Sequence, residues 1–278
     1  MQILILGSGS ASDPSLPNSS VVVTCGDARI MIDCGYSVAR EAISTFRDPD
    51  AVDALVFTHH HPDHCYGFVP TMIAWSDAGR RKPLTVATTE WGRHQLLELQ
   101  RLGLGSSWRP GFDYDWRTVP QPLALGSARL SFAPTDHTVP NFAVRIENDG
   151  RVFAYSGDRR PTPQSRGLYA GANLLMHECY TLSPLPDEFG HCSFDTCAEL
   201  SRTLSPDRML VYHMREDQKP LVAAAAADLP RMAAAVTGSV ITVPGGNSSL
   251  AARDGDGSSG GAASDDPEKR SSPFANPA

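Results

Sequence analysis

An α/β fold with two mixed sheets flanked by helices is the architecture this sequence predicts. Apolar strand-like runs alternate with helical patterns from residue 2 to residue 243. Turn signals, Gly26-Asp27 and Asn148-Asp149-Gly150, join paired runs in both halves. The composition is that of a globular protein, 41% apolar and 20% charged over 278 residues. It excludes collagen-like, coiled-coil and wholly disordered chains.

Residues 2–6, 20–25 and 28–33 read as strands, followed by a helix over 37–46 and the apolar strand Val52 to Phe57. Helix signals return at 63–75 and 88–102, the second with Leu96, Leu97, Leu99 and Leu102 along one side. Strands are expected at 128–133, 141–147, 151–155 and 173–177, then a helix over 193–204 and a strand over 208–212. A helix over 219–236 and a strand over 239–243 complete the series. From Gly245 to Ala278 the chain is Gly, Ser, Asp, Ala and Pro with hardly an apolar side chain. Such a segment cannot bury enough surface to offset its ordering entropy. The expected organisation is one domain over 1–244 and a disordered tail over 245–278.

A net charge of −7 argues against a general polyanion-binding surface. Apolar runs fall far short of the roughly 20 residues a membrane helix needs, and Met1 to Gly7 reads as a first strand, not a signal peptide. The six cysteines (Cys25, Cys34, Cys65, Cys179, Cys192, Cys197) form no C-x-x-C pair and read as free thiols of a cytoplasmic protein.

The sharpest feature is Thr58-His59-His60-His61-Pro62-Asp63-His64, where strand Val52 to Phe57 ends. His59 and His61, two apart on extended backbone, project to one side and can chelate one ion. Pro62 suits a first helical turn, so Asp63 and His64 fall at a helix start. Imidazole and carboxylate donors suit zinc, with iron, manganese or nickel as alternatives; the bland reading is a histidine-rich surface loop. Further candidates follow later strands: Asp136-His137, Gly157-Asp158 and His213, the expected place for sites on a sheet. Singly, each is equally a turn aspartate or a satisfied strand-end histidine. Gly7-x-Gly9 lacks a third glycine at Ser12, so a tight turn is favoured over a dinucleotide site.

On these residues the chain resembles the metallo-β-lactamase superfamily, and within it the ribonuclease Z-like branch. Gly7 to Ala11, Asp33-Cys34-Gly35, the His-x-His-x-Asp-His of His59 to His64, Asp136 to Pro140, Gly157-Asp158, His177-Glu178-Cys179, Gly190 to Ser193 and His213 match its ordered motifs. The resemblance implies a four-layer αβ/βα sandwich with its site at one rim. It implies two Zn2+ ions, with Mn2+, Fe2+ or Ni2+ as substitutes. One would be held by His59, His61 and His137, the other by Asp63, His64 and His213, with Asp158 bridging. Water activated between two metals would attack the substrate. Asp63 would orient that water, and His191, supported by Glu178, would protonate the leaving oxygen. As a bland alternative, His191 caps the helix over 193–204.

Departures from the branch point to the substrate. Ribonuclease Z enzymes carry a long substrate arm between the third-histidine motif and the bridging aspartate; His137 to Asp158 leaves room only for two strands and a turn. With the negative charge, this disfavours transfer RNA. Arg159 and Arg160 read either as a clamp for an anionic group or as a solvated pair. Trp108, Phe112, Tyr114 and Trp116 read either as the wall or lid of a pocket for an apolar substrate or as staples holding a long loop. Trp75 and Trp91 read as core. The function expected is a dinuclear-zinc phosphodiesterase acting on a small phosphodiester or cyclic nucleotide. Ester, thioester or lactone hydrolysis at the same site is the alternative, and a metal-containing ligand-binding or regulatory protein the third reading. A homodimer is expected from the branch alone.

Overall fold

Aliphatic runs pair into two seven-stranded sheets in the computed structural model, which describes residues 1–186 and 189–244. The tail expected over 245–278 lies outside the described residues. In the first half, β1 (Gln2–Gly7), β2 (Ser20–Cys25), β3 (Ala28–Ile32), β4 (Ala54–Val56), β5 (Leu84–Thr88) and β6 (Tyr114–Thr118) lie side by side in chain order. The second sheet runs β7 (Leu123–Leu125), β8 (Ala128–Pro134), β9 (Phe142–Asn148), β10 (Arg151–Tyr155), β11 (Leu174–Glu178), β12 (Arg208–Tyr212) and β13 (Met232–Ala234), again in chain order. The chain then returns to the first sheet as β14 (Val240–Thr242), antiparallel to β1.

Alternation along each strand builds the layers. Ile30, Ile32, Ala54 and Val56 of the first sheet meet Val144, Phe153, Met176 and Leu210 of the second in the central core. Their neighbours face outward: Met31 and Leu55 onto α1 (Val38–Thr45), α2 (Pro62–Cys65), α3 (Phe68–Asp77) and α4 (Glu90–Leu104). Leu175 and Val211 face α5 (Pro163–Tyr169), α6 (Phe194–Leu204) and α7 (Lys219–Ala227). This is a four-layer αβ/βα sandwich. In each half a run of parallel strands, β3 to β6 and β10 to β13, brings strand C-termini to one end.

Several boundaries differ from the sequence reading. The helix expected over 63–75 is two helices, because Gly67 must lie against the Cys34 and Gly35 carbonyls, where a Cβ would overlap. The helix expected over 219–236 stops at Ala227; Pro230 removes a donor and Arg231 takes a left-handed φ of 67°, after which β13 begins. Trp75 is buried as expected, whereas Trp91 is 55% exposed.

The aromatic segment packs on one helical layer. Tyr114 and Trp116 lie on edge strand β6, and with Trp108 and Phe112 they pack on the helical face of the first sheet. Tyr114 meets Phe68, and its hydroxyl donates to Gln100 at 2.9 Å. The buried Arg80 guanidinium lies 5.2 Å from the Trp75 ring and 5.1 Å from that of Phe112. Trp108 and Tyr114 pack in that layer, and Phe112 and Tyr114 also line a pocket beside Gln100 and Arg109.

Candidate metal centre

The segment after β4 is extended through His61 (φ −69°, ψ 154°), and Pro62 opens α2 without needing a donor. Extended backbone sends His59 and His61 to one side and His60 to the other. His60 is buried beside Phe57 and Trp91, with its Nε2 2.7 Å from Thr88 Oγ1. It belongs to the packing of α4.

Three imidazoles converge. His59 Nε2 lies 3.2 Å from His61 Nδ1, and His137 Nε2 lies 3.0 Å from the same atom. The second nitrogens set the tautomers. The Thr58 hydroxyl donates to Asp33 at 2.7 Å, so its oxygen accepts from His59 Nδ1 at 3.1 Å. His137 Nδ1 donates to the Gly190 carbonyl at 3.4 Å. Bare nitrogens of His59 and His137 thus face His61. Burial pushes the pKa of His59 well below its usual value and that of His137 down to about 4, so both rings are neutral lone-pair donors near neutral pH.

Beside them Asp63, His64, Asp158 and His213 form a buried second set. His213 Nε2 is 3.1 Å from Asp63 Oδ2 and 3.4 Å from Asp158 Oδ2, and His64 Nε2 is 3.3 Å from a carboxylate oxygen of each. Asp158 Oδ2 also reaches to 3.9 Å from His59 Nε2, so this carboxylate stands between the two sets. Burial opposes the charged form of His64, but Asp158, Asp63 and Asp33 outweigh it and raise its pKa. Against burial, His64 and His213 hold the Asp63 carboxyl below the usual range.

Long-range contacts aim these side chains. Asp33, fully buried and in the left-handed region at φ 60°, accepts from His64 Nδ1 at 2.8 Å and from the Thr58 N–H at 2.8 Å. Such carboxylate–histidine pairs fix ring orientation in metal sites. Asn141 donates to the Asp158 carbonyl at 2.7 Å. His213, also left-handed at φ 59°, donates its N–H to the Ser8 carbonyl at 2.9 Å, so the glycine-rich opening seats this histidine. A Cβ at Gly7 would overlap the Pro17 and Asn18 carbonyls.

At the margin, His191 Nδ1 donates to Glu178 Oε1 at 2.5 Å, and the Tyr180 ring stacks on His191 with centroids 4.2 Å apart. Glu178 is fully buried and also accepts the N–H groups of Arg159 and Cys192. Burial disfavours the His191 imidazolium, yet Glu178 raises it to about 9. Glu178, His191 and His213 lie in one cluster, which joins this pair to the second set. Of the two arginines, Arg160 donates to the Leu185 carbonyl at 3.0 Å, and the Arg159 guanidinium lies 3.9 Å from Asp136 and close to Gly190. Both side chains are engaged with the protein.

The model for the β-lactamase superfamily domain matches residues 28–214. The chain belongs to that superfamily. It is 28% identical over 196 residues to a ribonuclease Z of Mycobacterium bovis, covering 64% of this chain and 69% of that protein. Human tRNase Z, short form, shares the fold with a TM-score of 0.73 at 18% identity, over 88% of this chain and 100% of that one. The metallo-β-lactamase fold protein YhfI of Bacillus subtilis does so with a TM-score of 0.72 at 18% identity, over 87% and 99%. Both the superfamily and its fold were legible in the ordered motifs.

In this superfamily member the donor sets fit divalent cations. His61 Nδ1 can donate one proton to only one of the two bare nitrogens 3.0–3.2 Å away, so one lone pair stays unmatched unless a cation lies among the three rings. Buried His64 Nε2 and Asp158 Oδ1 face each other at 3.3 Å without a well-formed hydrogen bond, an arrangement that shared ligation of a cation would satisfy better. Sequence reasoning missed the positioning role of Asp33 and the stacking of Tyr180. The signal available for Asp33 was its carboxylate at the end of a strand. Among the described residues, no helix is long and apolar enough to cross a membrane.

Proposed function

We propose that this protein is a dinuclear-metal hydrolase, most simply a zinc-dependent phosphodiesterase acting on a small phosphodiester. His59, His61 and His137 would hold one cation and Asp63, His64 and His213 the other, with Asp158 shared. Two such cations would supply a water of lowered pKa and polarise the attacked group.

The carrying observation is the 2.5 Å contact between His191 and the buried Glu178 beside that centre. An alkoxide leaving a phosphodiester, like one leaving a carboxylic ester, is strongly basic and departs readily only if protonated, whereas a thiolate leaving an acyl group is not. A histidine held protonated by a buried carboxylate answers the first need. Glu178 fixes Nδ1 as the held nitrogen and leaves Nε2 as the donor; Tyr180 holds the ring plane. Asp63 orients the attacking water. The short β9–β10 hairpin occupies the chain between His137 and Asp158, which supports a small substrate in place of transfer RNA. The Arg159 backbone N–H joins the Glu178 network.

The test compares two phosphodiesters in a His191→Ala variant. Loss of a proton donor lowers turnover of an alkyl-leaving diester by about 10²- to 10⁴-fold, and spares a p-nitrophenyl diester, whose leaving group needs no proton. Equal losses on both substrates contradict the assignment.

A further inference from the structure

We propose that His177, Cys192 and Cys197 form a separate, fully buried site for one thiophilic divalent ion such as zinc, behind the proton-donor pair. His177 neighbours Glu178 on β11, so alternation turns it away from the metal centre and into the layer of α5, α6 and α7. Cys192 follows His191, and Cys197 lies in the first turns of α6. All three are 0% exposed, and each offers a ligand atom within 4.8 Å of the others.

The distances suit ligation. Cys192 Sγ and Cys197 Sγ are 4.0 Å apart, and a ring nitrogen of His177 lies within 4.8 Å of both. Metal–sulfur bonds of about 2.3 Å and metal–nitrogen bonds of about 2.0 Å at tetrahedral angles give edges of about 3.8 Å for S···S and about 3.5 Å for S···N. Small movements would close the set. Both thiols reach backbone carbonyls, Cys197 Sγ that of Glu178 at 3.2 Å and Cys192 Sγ that of Ser193 at 3.5 Å, so the polar atom left to explain is on the imidazole. His177 Nδ1 donates to the Glu178 carbonyl at 2.8 Å, which leaves Nε2 bare, and Nε2 has no partner in this dry layer. A metal-ligating histidine has its other ring N–H held in this way. Cys179, two residues beyond His177, lies within reach of Cys197 as a further thiol.

An ion here would brace the proton-donor pair from behind. It would tie the residue before Glu178 to the residue after His191, and the Cys192 N–H already donates to Glu178 Oε1 at 3.2 Å. The inference does not rest on the substrate reading, and its test measures binding.

Cobalt replaces zinc in the purified protein, and the near-ultraviolet spectrum is recorded with metal content by mass spectrometry. The His/Asp centre contains no thiolate, and among the described residues no other cysteine joins a group able to hold an ion. A thiolate-to-cobalt charge-transfer band is expected, retained in Asp158→Ala. In a Cys192→Ser, Cys197→Ser variant, loss of the band and of one metal equivalent is expected. Absence of the band in the wild type overturns the proposal and makes these residues reduced thiols of the core. A band that survives the double substitution overturns it as well. Should that variant fail to fold, the wild-type spectrum alone decides.

Discussion

Asp63 lies between two imidazoles, 3.1 Å from His213 Nε2 and 3.3 Å from His64 Nε2, with its carboxylate kept ionised by both. Asp63→Ala is expected to reduce turnover to background while far-ultraviolet circular dichroism and cooperative unfolding persist. Full activity in that variant would remove Asp63 from the reaction. At Glu178 the expectation concerns pH. The carboxylate raises His191 to about 9, so the neutral amide of Glu178→Gln lowers that pKa. The basic limb of the kcat/KM profile then moves to lower pH; an unmoved limb contradicts the proton-donor role. At this scale the sequence exposes candidate ligands that local spacing brings together. His59 and His61 share a side because extended backbone repeats every two residues. Asp33 is a different case, because it meets His64 only through the pairing of β3 with β4. The His177, Cys192 and Cys197 group is likewise made by tertiary packing, and its spacing matches no short motif.

Element boundaries depend on close approaches that hydrophobic pattern does not report. Gly92 sits in the first turn of α4, where a Cβ would overlap the His60 ring and the Thr88 hydroxyl. Gly92→Ala is expected to displace His60 from its 2.7 Å contact with Thr88 and to cost about 1–3 kcal/mol. That loss is read as a lower urea midpoint with unchanged slope. A higher midpoint, the sign of helix propensity acting alone, would show that the helix does not pack so closely. The break at Gly67 and the end of α7 before Pro230 have the same origin: backbone contact and proline chemistry override the apolar pattern. Edge strands β6, β7 and β13 were not legible, because edge and short strands carry little apolar alternation. Tyr114 to Thr118 shows partial burial at best and reads as an aromatic loop.

Across the whole molecule, the two halves each bring parallel strand ends to one rim, so residues from 59 to 213 meet there. The order of layers followed from the alternation of strands and helices, because each sheet face must be covered. Bond specificity did not, since a centre of this kind serves phosphorus and carbonyl carbon alike. The most direct test is turnover of bis(p-nitrophenyl) phosphate by zinc-loaded protein, with p-nitrophenyl acetate and an acyl thioester under identical conditions and a chelator control. Chelator-sensitive release from the phosphodiester alone is predicted. Chelator-sensitive cleavage of the acyl substrates alone would contradict the phosphodiesterase reading and move the activity to ester or thioester hydrolysis at the same residues.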